Sequence, residues 1–195
     1  MVPAPRKSIQ HMRVIAGKYR SRPLRSLHGL AMRPTTGRLR ETLFNVLAPL
    51  VGDSGWLDLY AGTGAVGIEA LSRGARMVYF VESSRKAAVL IRENLRSLGI
   101  ESGCQVLELE AVAALRLLDT QAVSCDVCFL DPPYHRQHDY AKVLNFLGES
   151  EMLKPSTIVV AEHEKHFDLG ERFGRLERYR ELKQGDAVLS FYKLG

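Results

Sequence analysis

From Gly55 onward the sequence alternates short apolar runs with longer amphipathic segments, and this alternation constrains the fold more than any other feature. The runs have the length of single strands, and the segments between them carry apolar residues at helical spacing. Parallel strands joined by crossover helices produce this order of elements. We therefore predict an α/β fold, with a mostly parallel sheet covered by helices on both faces. The predicted strands lie in GWLDLY, MVYFVE, CQVLELE, CDVCFLD and TIVVAE.

Both ends of the chain depart from this alternation. At the carboxyl end, two extended segments flank Gln184-Gly185-Asp186, which predicts an antiparallel hairpin at the end of the sheet. Ahead of the alternation, Thr35 or Thr36 can cap a helix that Pro49 and Gly52 would end. The apolar residues of this helix recur at helical spacing, at Leu39, Leu43, Val46, Leu47 and Leu50.

Positive charge is concentrated at the amino end of the chain. Residues 1–40 hold ten Lys or Arg and no Asp or Glu, whereas residues 41–195 hold 17 basic and 22 acidic residues. Such a segment suits a polyanion, because each cation placed near a phosphate releases counterions. A disordered basic tail is the alternative, but apolar residues lie between the charges, as a folded hairpin requires. The candidate phosphate contacts are Arg13, Lys18, Arg20, Arg22, Arg33, Arg38 and Arg40.

A glycine-rich turn follows the first predicted strand and leads into a helix. Gly62, Gly64 and Gly67 match the pattern G-x-G-x-x-G, in which glycines let the backbone approach a ligand and let helix and strand pack. NAD-binding turns share this pattern, so the glycines alone leave the cofactor open. Asp58 favours S-adenosylmethionine, because a carboxylate at that position would repel a pyrophosphate and attract the ammonium and sulfonium of this cofactor.

Two further acids end later strand runs. Glu82 ends MVYFVE, where its oxygens can accept hydrogen bonds from both ribose hydroxyls. Glu110 ends the next run, where it can contact the adenine amino group, and a solvated acid at a helix start is an equal alternative. The predicted cofactor-binding residues are Asp58, Tyr60, Ala61, Gly62, Thr63, Gly64, Gly67, Glu82 and Glu110.

The segment Asp131-Pro132-Pro133-Tyr134 indicates the chemistry. It follows an apolar run, so it is expected at the carboxyl end of a central strand, where open α/β sheets place their active sites. The prolines stiffen the loop and leave its carbonyls free to accept hydrogen bonds. Asp131 and the Pro132 carbonyl can hold an amino group by its hydrogens with its lone pair aimed at a methyl group, and Tyr134 can stack on a base. We predict that all four residues, including Pro133, form the catalytic loop.

Over nearly the whole chain from Arg13, the sequence resembles the bacterial 16S ribosomal RNA guanine-N2 methyltransferases that act on guanine 966. The glycine turn and Asp131-Pro132-Pro133-Tyr134 are shared by many amino-methyltransferases. More particular to the family is Arg33-Pro34-Thr35-Thr36 followed by Arg40-Glu41-Thr42-Leu43-Phe44-Asn45. The other matching segments are Arg13-Val14-Ile15-Ala16-Gly17-Lys18, Asp58-Leu59-Tyr60-Ala61-Gly62-Thr63-Gly64 and Glu69-Ala70-Leu71-Ser72-Arg73-Gly74.

The resemblance implies a class I methyltransferase with a seven-stranded Rossmann-like sheet and S-adenosylmethionine as its cofactor. The implied partner is 16S rRNA, either free or within a partly assembled small ribosomal subunit. A small basic amino-terminal β-hairpin would help to hold this RNA. We accordingly assign residues 1–40 to an RNA-docking extension and residues 41–195 to the methyltransferase domain, and we expect residues 1–12 to be disordered. Glu110 stands where the family pattern has Asp.

Three other functions remain open from the residues themselves. A DNA or other RNA amino-methyltransferase acting on adenine N6 or cytosine N4 would use the same tetrapeptide chemistry. A dinucleotide-binding oxidoreductase is disfavoured by Asp58 and by Asp131-Pro132-Pro133-Tyr134. A non-catalytic RNA-binding module would keep the basic end but would not need an intact cofactor turn.

Composition bears on compartment and metal binding. Three cysteines are too few for a disulfide framework, and no apolar stretch has the length of a signal peptide or a membrane span, so we expect a cytoplasmic monomer without a membrane partner. Cys125 and Cys128 form a C-x-x-C pattern. On a strand, residues three apart should point to opposite faces, so we predict core cysteines and no metal site.

Overall fold

A computed structural model describes residues 12–26 and 36–195 of this chain. Its strands are β1 (Gly55–Leu59), β2 (Met77–Val81), β3 (Cys104–Leu107), β4 (Cys125–Leu130), β5 (Leu153–Glu164), β6 (Arg172–Phe173), β7 (Leu176–Gln184) and β8 (Ala187–Leu194). Its helices are α1 (Gly37–Val51), α2 (Ala65–Ser72), α3 (Arg85–Ser97), α4 (Ala111–Thr120) and α5 (His138–Glu149). The strands form a single sheet in the order β3-β2-β1-β4-β5-β8-β7-β6.

The predicted α/β sheet is confirmed and, within the described residues, has one strand more than the seven expected. The pairs within β1 to β5 are parallel, and β8 pairs antiparallel with both β5 and β7. The predicted carboxyl-terminal hairpin is present and turns at Gly185, which has φ +63°. The extra strand is β6, which has only two residues and pairs with β7 at the sheet edge. A segment this short carries no readable periodicity, so sequence alone did not predict it.

Helices cover both faces of the sheet. Buried residues of α1, α2 and α3 share one apolar cluster, and those of α4 and α5 share the other. Along β4 the side chains alternate, since Val127 and Phe129 belong to the first cluster while Cys128 and Leu130 belong to the second. The two helical layers therefore have separate outer surfaces on opposite sides of the molecule.

The prediction that Cys125 and Cys128 point to opposite faces was wrong. The pairing register of β4 with β5 shifts between Cys125 and Val127, and this irregularity places both thiols in the cluster that α4 and α5 cover. Burial raises the pKa of Cys125 to about 12 and holds that of Cys128 well above its usual value. Both side chains are therefore protonated core residues. Among the described residues, no group of three or more potential metal ligands is present.

Helix α1 begins and ends as predicted, at Thr36 and Gly52, although Pro49 lies inside the helix and does not end it. The Thr36 hydroxyl accepts a hydrogen bond from the Leu39 amide at 3.2 Å, which makes Thr36 the N-cap. The helix continues through Pro49 to Val51, and Gly52 follows it. The domain boundary predicted at residue 40 therefore falls within the first turn of α1. Within the described ranges, no helix is long and apolar enough to cross a membrane.

Residues 12–26 form a small hairpin that packs against the sheet domain. The Val14 amide donates to the Arg22 carbonyl at 3.0 Å, and an isolated antiparallel bridge joins Arg13 to Pro23. Val14 and Leu24 belong to the same apolar cluster as α1, α2 and α3. The hairpin is thus part of the main core and not a separately packed unit. The disorder predicted for residues 1–12 falls outside the described residues, except at Met12, which packs against this cluster.

Candidate active site

The first four strands of the sheet end at the same level. Leu59 pairs with Val81 and with Leu130, and Val81 pairs with Leu107. Because these strands are parallel, the loops that follow them leave from one edge of the sheet. This edge brings together the glycine turn after β1, Glu82 after β2, Glu110 after β3 and the Asp131-Pro132-Pro133-Tyr134 loop after β4. We call it the carboxyl edge.

The glycine turn, residues 60–64, has an unusual backbone. Tyr60, Gly62 and Gly64 have φ values of +61°, +57° and +77°. The chain therefore turns sharply from β1 into α2, with Gly64 as the N-cap residue, and directs the amide groups of the first turn of α2 toward the carboxyl edge. Tyr60 adopts a left-handed conformation that is uncommon for a residue with a side chain. Ala61 and Thr63 complete the turn.

Gly67 allows α2 to pack closely on the sheet. A Cβ atom at this position would come within 2.3 Å of Phe80 Cε1 and 2.8 Å of Val78 Cγ1, both on β2. The Gly67 amide also donates to Asp58 Oδ2 at 2.9 Å. The third glycine of the motif thus serves helix-strand packing and fixes the Asp58 carboxyl group.

Asp58 is a buried carboxyl group on β1, with 2% of its surface exposed. Burial raises its pKa to about 7; the hydrogen bond from Gly67 lowers the pKa, and the nearby charge of Glu82 raises it further. An acid with this pKa is poised to lose its proton when a cation binds beside it. Such a group suits the ammonium end of an amino-acid-containing ligand.

Glu82 joins the end of β2 to the glycine turn. Its Oε2 accepts from the Gly62 amide at 2.9 Å, and its Oε1 accepts from the Ser84 amide at 2.8 Å. These bonds fix the carboxylate at the carboxyl edge. Each carboxylate oxygen can accept a second hydrogen bond, so both oxygens can still receive hydroxyl donors.

The catalytic-loop residues lie where they were predicted, with one difference in their hydrogen bonds. Asp131 is partly exposed, Pro132 is buried and Pro133 is exposed. The Pro133 carbonyl accepts from the Arg136 amide at 2.7 Å, which starts a 3-10 turn over Tyr134–Arg136. The Pro133 carbonyl is therefore not free as expected, although it can accept a second hydrogen bond. The Tyr134 side chain lies outside the described part of the structure, so its stacking role stays a prediction.

Arg136 links three of the loops at the carboxyl edge, and sequence reasoning missed it. Its Nη2 lies 2.7 Å from Glu110 Oε2, and its Nε lies 2.6 Å from Oδ2 of the buried Asp139. The guanidinium carbon is 5.9 Å from the centroid of the Tyr60 ring. Asp139 also hydrogen-bonds the Tyr60 side chain, and burial together with this acid raises the pKa of Tyr60 above its usual value. The i,i+3 spacing of Arg136 and Asp139 was the available sequence signal.

Glu110 occupies the N-cap position of α4 without capping it through its side chain. It is exposed and ion-paired with Arg136, whose hydrogen bond lowers the pKa of Glu110 below its usual value. A direct contact between Glu110 and an adenine amino group would have to share this carboxylate with Arg136. The structure thus places Glu110 at the predicted edge and gives it a partner that the sequence did not reveal.

The predicted phosphate-binding residues differ in accessibility. Arg33 lies outside the described residues. The exposed members of the set are Arg13, Lys18, Arg20, Arg22 and Arg38.

Arg40, the remaining member, is 1% exposed, so its assignment to phosphate binding was wrong. Its Nη2 donates to the Arg13 carbonyl at 2.6 Å, and its Nε lies 3.8 Å from the buried Glu69 carboxylate. Glu69 also accepts hydrogen bonds from the Ile15 and Ala16 amides at 2.8 and 2.9 Å. Arg40 and Glu69 therefore attach the hairpin to the core.

The sheet order and the loops at the carboxyl edge identify the class I methyltransferase fold. In this fold, a glycine turn after β1 and an acid after β2 form the cofactor cleft. Residues 12–193 match the family described as Conserved hypothetical protein 95, and the chain belongs to this family.

Similar proteins support this classification. The Ribosomal RNA small subunit methyltransferase D of Haemophilus influenzae is 38% identical over 79% of this chain and 79% of its own length. The protein of the same name from Escherichia coli K12 is 32% identical over 93% of this chain and 89% of its own length. The solved structure of yhhF from Escherichia coli superposes with a TM-score of 0.81 at 29% identity, covering 94% of this chain and 98% of that one.

A more distant structure shares the fold alone. The RNA methyltransferase from Salinibacter ruber, solved in complex with S-adenosyl-L-homocysteine, has a TM-score of 0.61 at 17% identity and covers 83% of this chain and 94% of that one.

Proposed function

We propose that this chain transfers the methyl group of S-adenosylmethionine to the exocyclic N2 of a guanine in 16S ribosomal RNA. One observation carries the proposal: the Asp131-Pro132-Pro133-Tyr134 loop lies at the end of β4, directly beside the glycine turn of the neighbouring β1. The identity of the substrate rests on the relatives named Ribosomal RNA small subunit methyltransferase D and on the family-specific segments of the amino end.

The donor groups at the carboxyl edge fit S-adenosylmethionine. A buried carboxyl group with a pKa of about 7, Asp58, suits the ammonium of the amino-acid end. The fixed carboxylate of Glu82 suits two ribose hydroxyls, and the first turn of α2 offers amide donors to a carboxylate. When bound, the cofactor supplies an electrophilic methyl group on a sulfonium, which needs no metal for activation.

The catalytic loop orients the acceptor nitrogen. The lone pair of an exocyclic amino group is delocalised into its ring, so the nitrogen is a poor nucleophile in its planar form. Asp131 and the Pro132 carbonyl accept hydrogen bonds from its two N–H groups and favour a more tetrahedral nitrogen. These acceptors are fixed before reaction and stabilise the positive charge that develops on the nitrogen as its bond to the methyl carbon forms and the carbon–sulfur bond breaks. The nitrogen then releases one proton to solvent. Tyr134 stacks on the base and holds it in line with the methyl group.

The test is methylation of RNA that lacks the modification. Small subunits and naked 16S rRNA from cells without the endogenous enzyme are incubated with the protein and labelled cofactor, and the modified nucleoside is identified by mass spectrometry. N2-methylguanosine is expected. N6-methyladenosine or N4-methylcytidine would refute the assigned base and support the alternative amino-methyltransferase. Absence of label in RNA, with Asp131→Ala as the inactive reference, would refute the proposed function.

A further inference from the structure

The outer surface of α3 carries a stripe of positive charge that the sequence did not single out. Arg85, Arg92 and Arg96 recur at helical spacing with Val89, so the four side chains follow one line along the helix. All four are exposed, Val89 at 45%, as is the neighbouring Lys86. The opposite side of α3 is buried in the core.

The amino-terminal hairpin extends this stripe. Arg22 Nη2 donates to the Ser97 carbonyl at the end of α3 at 2.9 Å. The Arg25 amide donates to Asn94 Oδ1 at 2.8 Å, and the Arg25 guanidinium lies 3.0 Å from Glu93. Two elements far apart in sequence therefore form one surface. We call it the α3 basic face, and its cations are Arg22, Arg25, Arg85, Lys86, Arg92 and Arg96.

The acids on this surface neutralise it only in part. Glu93 pairs with Arg25, and Glu108 lies 3.5 Å from Arg92. All four side chains in these two pairs are at least 37% exposed, and ion pairs this exposed contribute little free energy. A phosphate can therefore replace either acid at small cost.

A groove and the position of the helix indicate an extended partner. Between α3 and the edge strand β3 lies a cavity of about 570 Å³, lined by Arg92 and Arg96, by one acid, Glu101, and by mainly apolar residues. Guanidinium groups beside apolar side chains can bind a phosphate while the apolar side chains contact the adjoining sugar or base. The helix begins just after Glu82, so the stripe starts at the carboxyl edge and runs about 17 Å away from it, at about 1.5 Å per residue.

Among the described residues, the opposite face of the sheet carries fewer cations. The helices on the opposite face, α4 and α5, each carry one exposed Lys or Arg, Arg116 and Lys142, and exposed acids at Asp119 and Glu149. Within the described residues, positive charge is thus denser on the side on which the hairpin packs, with six cations on the α3 basic face against two on α4 and α5. A polyanion that approaches the carboxyl edge would be attracted along α3 and not along α4.

We propose that the α3 basic face is a phosphate-binding surface for the RNA that flanks the methylated base. This inference rests on the proposed function for the identity of the polyanion. It assigns to RNA binding a helix that belongs to the part of the chain with a net negative charge.

The test compares two charge-neutralised proteins. Arg92→Gln/Arg96→Gln removes two cations of the α3 basic face, and Arg116→Gln, which removes one cation from α4, is the control, so the changes are compared per removed charge. Affinity for a 16S rRNA fragment is measured from 50 to 200 mM salt, with cofactor affinity and thermal stability as checks of folding. Each lost phosphate contact should reduce the log-log salt slope by about 0.7 to 0.9. Over this salt range, the wild-type protein should therefore lose about tenfold more affinity than the double variant.

Arg116→Gln should keep the wild-type slope. An unchanged slope in the double variant overturns the proposal, as does an equal change per removed charge in Arg116→Gln, which would mean that only overall charge matters. A requirement for Arg92 and Arg96 in binding anionic lipid vesicles, without a change in the RNA slope, also overturns it. Methylation by the wild-type protein is measured in parallel. If the double variant shows the expected slope but the wild type does not methylate rRNA, phosphate binding by the α3 basic face is supported and the proposed function is refuted.

Discussion

Asp58 makes cofactor binding depend on pH in a way that can be worked out from its surroundings. Burial raises the pKa of this carboxyl group from 3.8 to about 7. In the protein without ligand, Asp58 is therefore mostly protonated at pH 6 and mostly ionised at pH 8. Only the ionised form attracts the ammonium of S-adenosylmethionine, so the protonated form must lose its proton before the cofactor binds well.

The expected size of the effect follows from this linkage. From pH 7 to pH 6, the dissociation constant of the cofactor should rise about fivefold, and below pH 6 the rise should approach about tenfold per pH unit, which corresponds to about 1.4 kcal/mol. Between pH 7 and 8 it should change little. Asp58→Asn keeps an oxygen that can accept from the Gly67 amide but has no charge. Its cofactor affinity should be low and should not vary between pH 6 and 8.

The same pKa predicts a stability effect of defined sign. Between pH 3.8 and about 7, the folded protein holds a proton on Asp58 that the unfolded chain has lost. The free energy of unfolding without cofactor should therefore fall as the pH rises through this window, by on the order of 4 kcal/mol from this group. Asp58→Asn has no titrating carboxyl group at this position, so its free energy of unfolding should not show this decrease. Without cofactor at pH 8, the variant should be more resistant to urea than the wild type.

Calorimetry with S-adenosylhomocysteine at pH 6, 7 and 8 measures the binding, and urea unfolding at pH 5 and 8 measures the stability. Asp126→Asn is a matched control, because Asp126 accepts from the Gly55 amide at 2.8 Å at the opposite end of the strands. It should keep the wild-type pH profile of binding. A wild-type affinity that is constant from pH 6 to 8, or an Asp58→Asn profile that matches the wild type, would refute the reasoning.

Four further substitutions test the site and its support. Asp131→Ala should lower turnover about 10²- to 10³-fold without changing cofactor affinity, and a large change in affinity would contradict its role toward the acceptor nitrogen. Arg136→Ala should lower single-turnover rates by up to about 10²-fold, because three loops lose a common partner; an unchanged rate would mean that other contacts hold them. Gly67→Ala should destabilise the protein by about 1–3 kcal/mol in urea unfolding, since its Cβ would meet Phe80, and wild-type stability would contradict this packing. Glu69→Gln should cost about 3–5 kcal/mol and expose residues 12–26 to protease; wild-type resistance would disprove its attachment role.

Sequence predicted best where the information is local. Apolar runs of strand length, the helix cap at Thr36 and the glycine turn each depend on residues that are neighbours in the sequence. The order of strands and helices along the chain could therefore be predicted from the sequence. Parallel connectivity then required that the residues following β1, β2 and β4 meet at one edge. For this reason the sequence alone predicts that Asp58, near the end of β1, lies at the same edge as Glu82 and Asp131.

Tertiary structure decided the burial and the partners of individual charges. Arg40 looked like a phosphate contact because its neighbours along the chain are basic, yet α1 turns it inward toward Glu69. Arg136 and Asp139 form part of the site only because the loops after β3 and β4 converge. The partner of Arg40, Glu69, and one partner of Arg136, Glu110, lie more than 20 residues away along the chain.

The distribution of charge shows the same limit. Counting along the chain assigned a net negative charge to residues 41–195 and so passed over α3. A count along the sequence averages all sides of the molecule, whereas a polyanion meets one side. The sequence by itself determined the sheet, the glycine turn and the catalytic loop, since local periodicity and strand connectivity specify them. Only the packing of the hairpin against α3 decided that Arg22, Arg25, Arg92 and Arg96 share one surface.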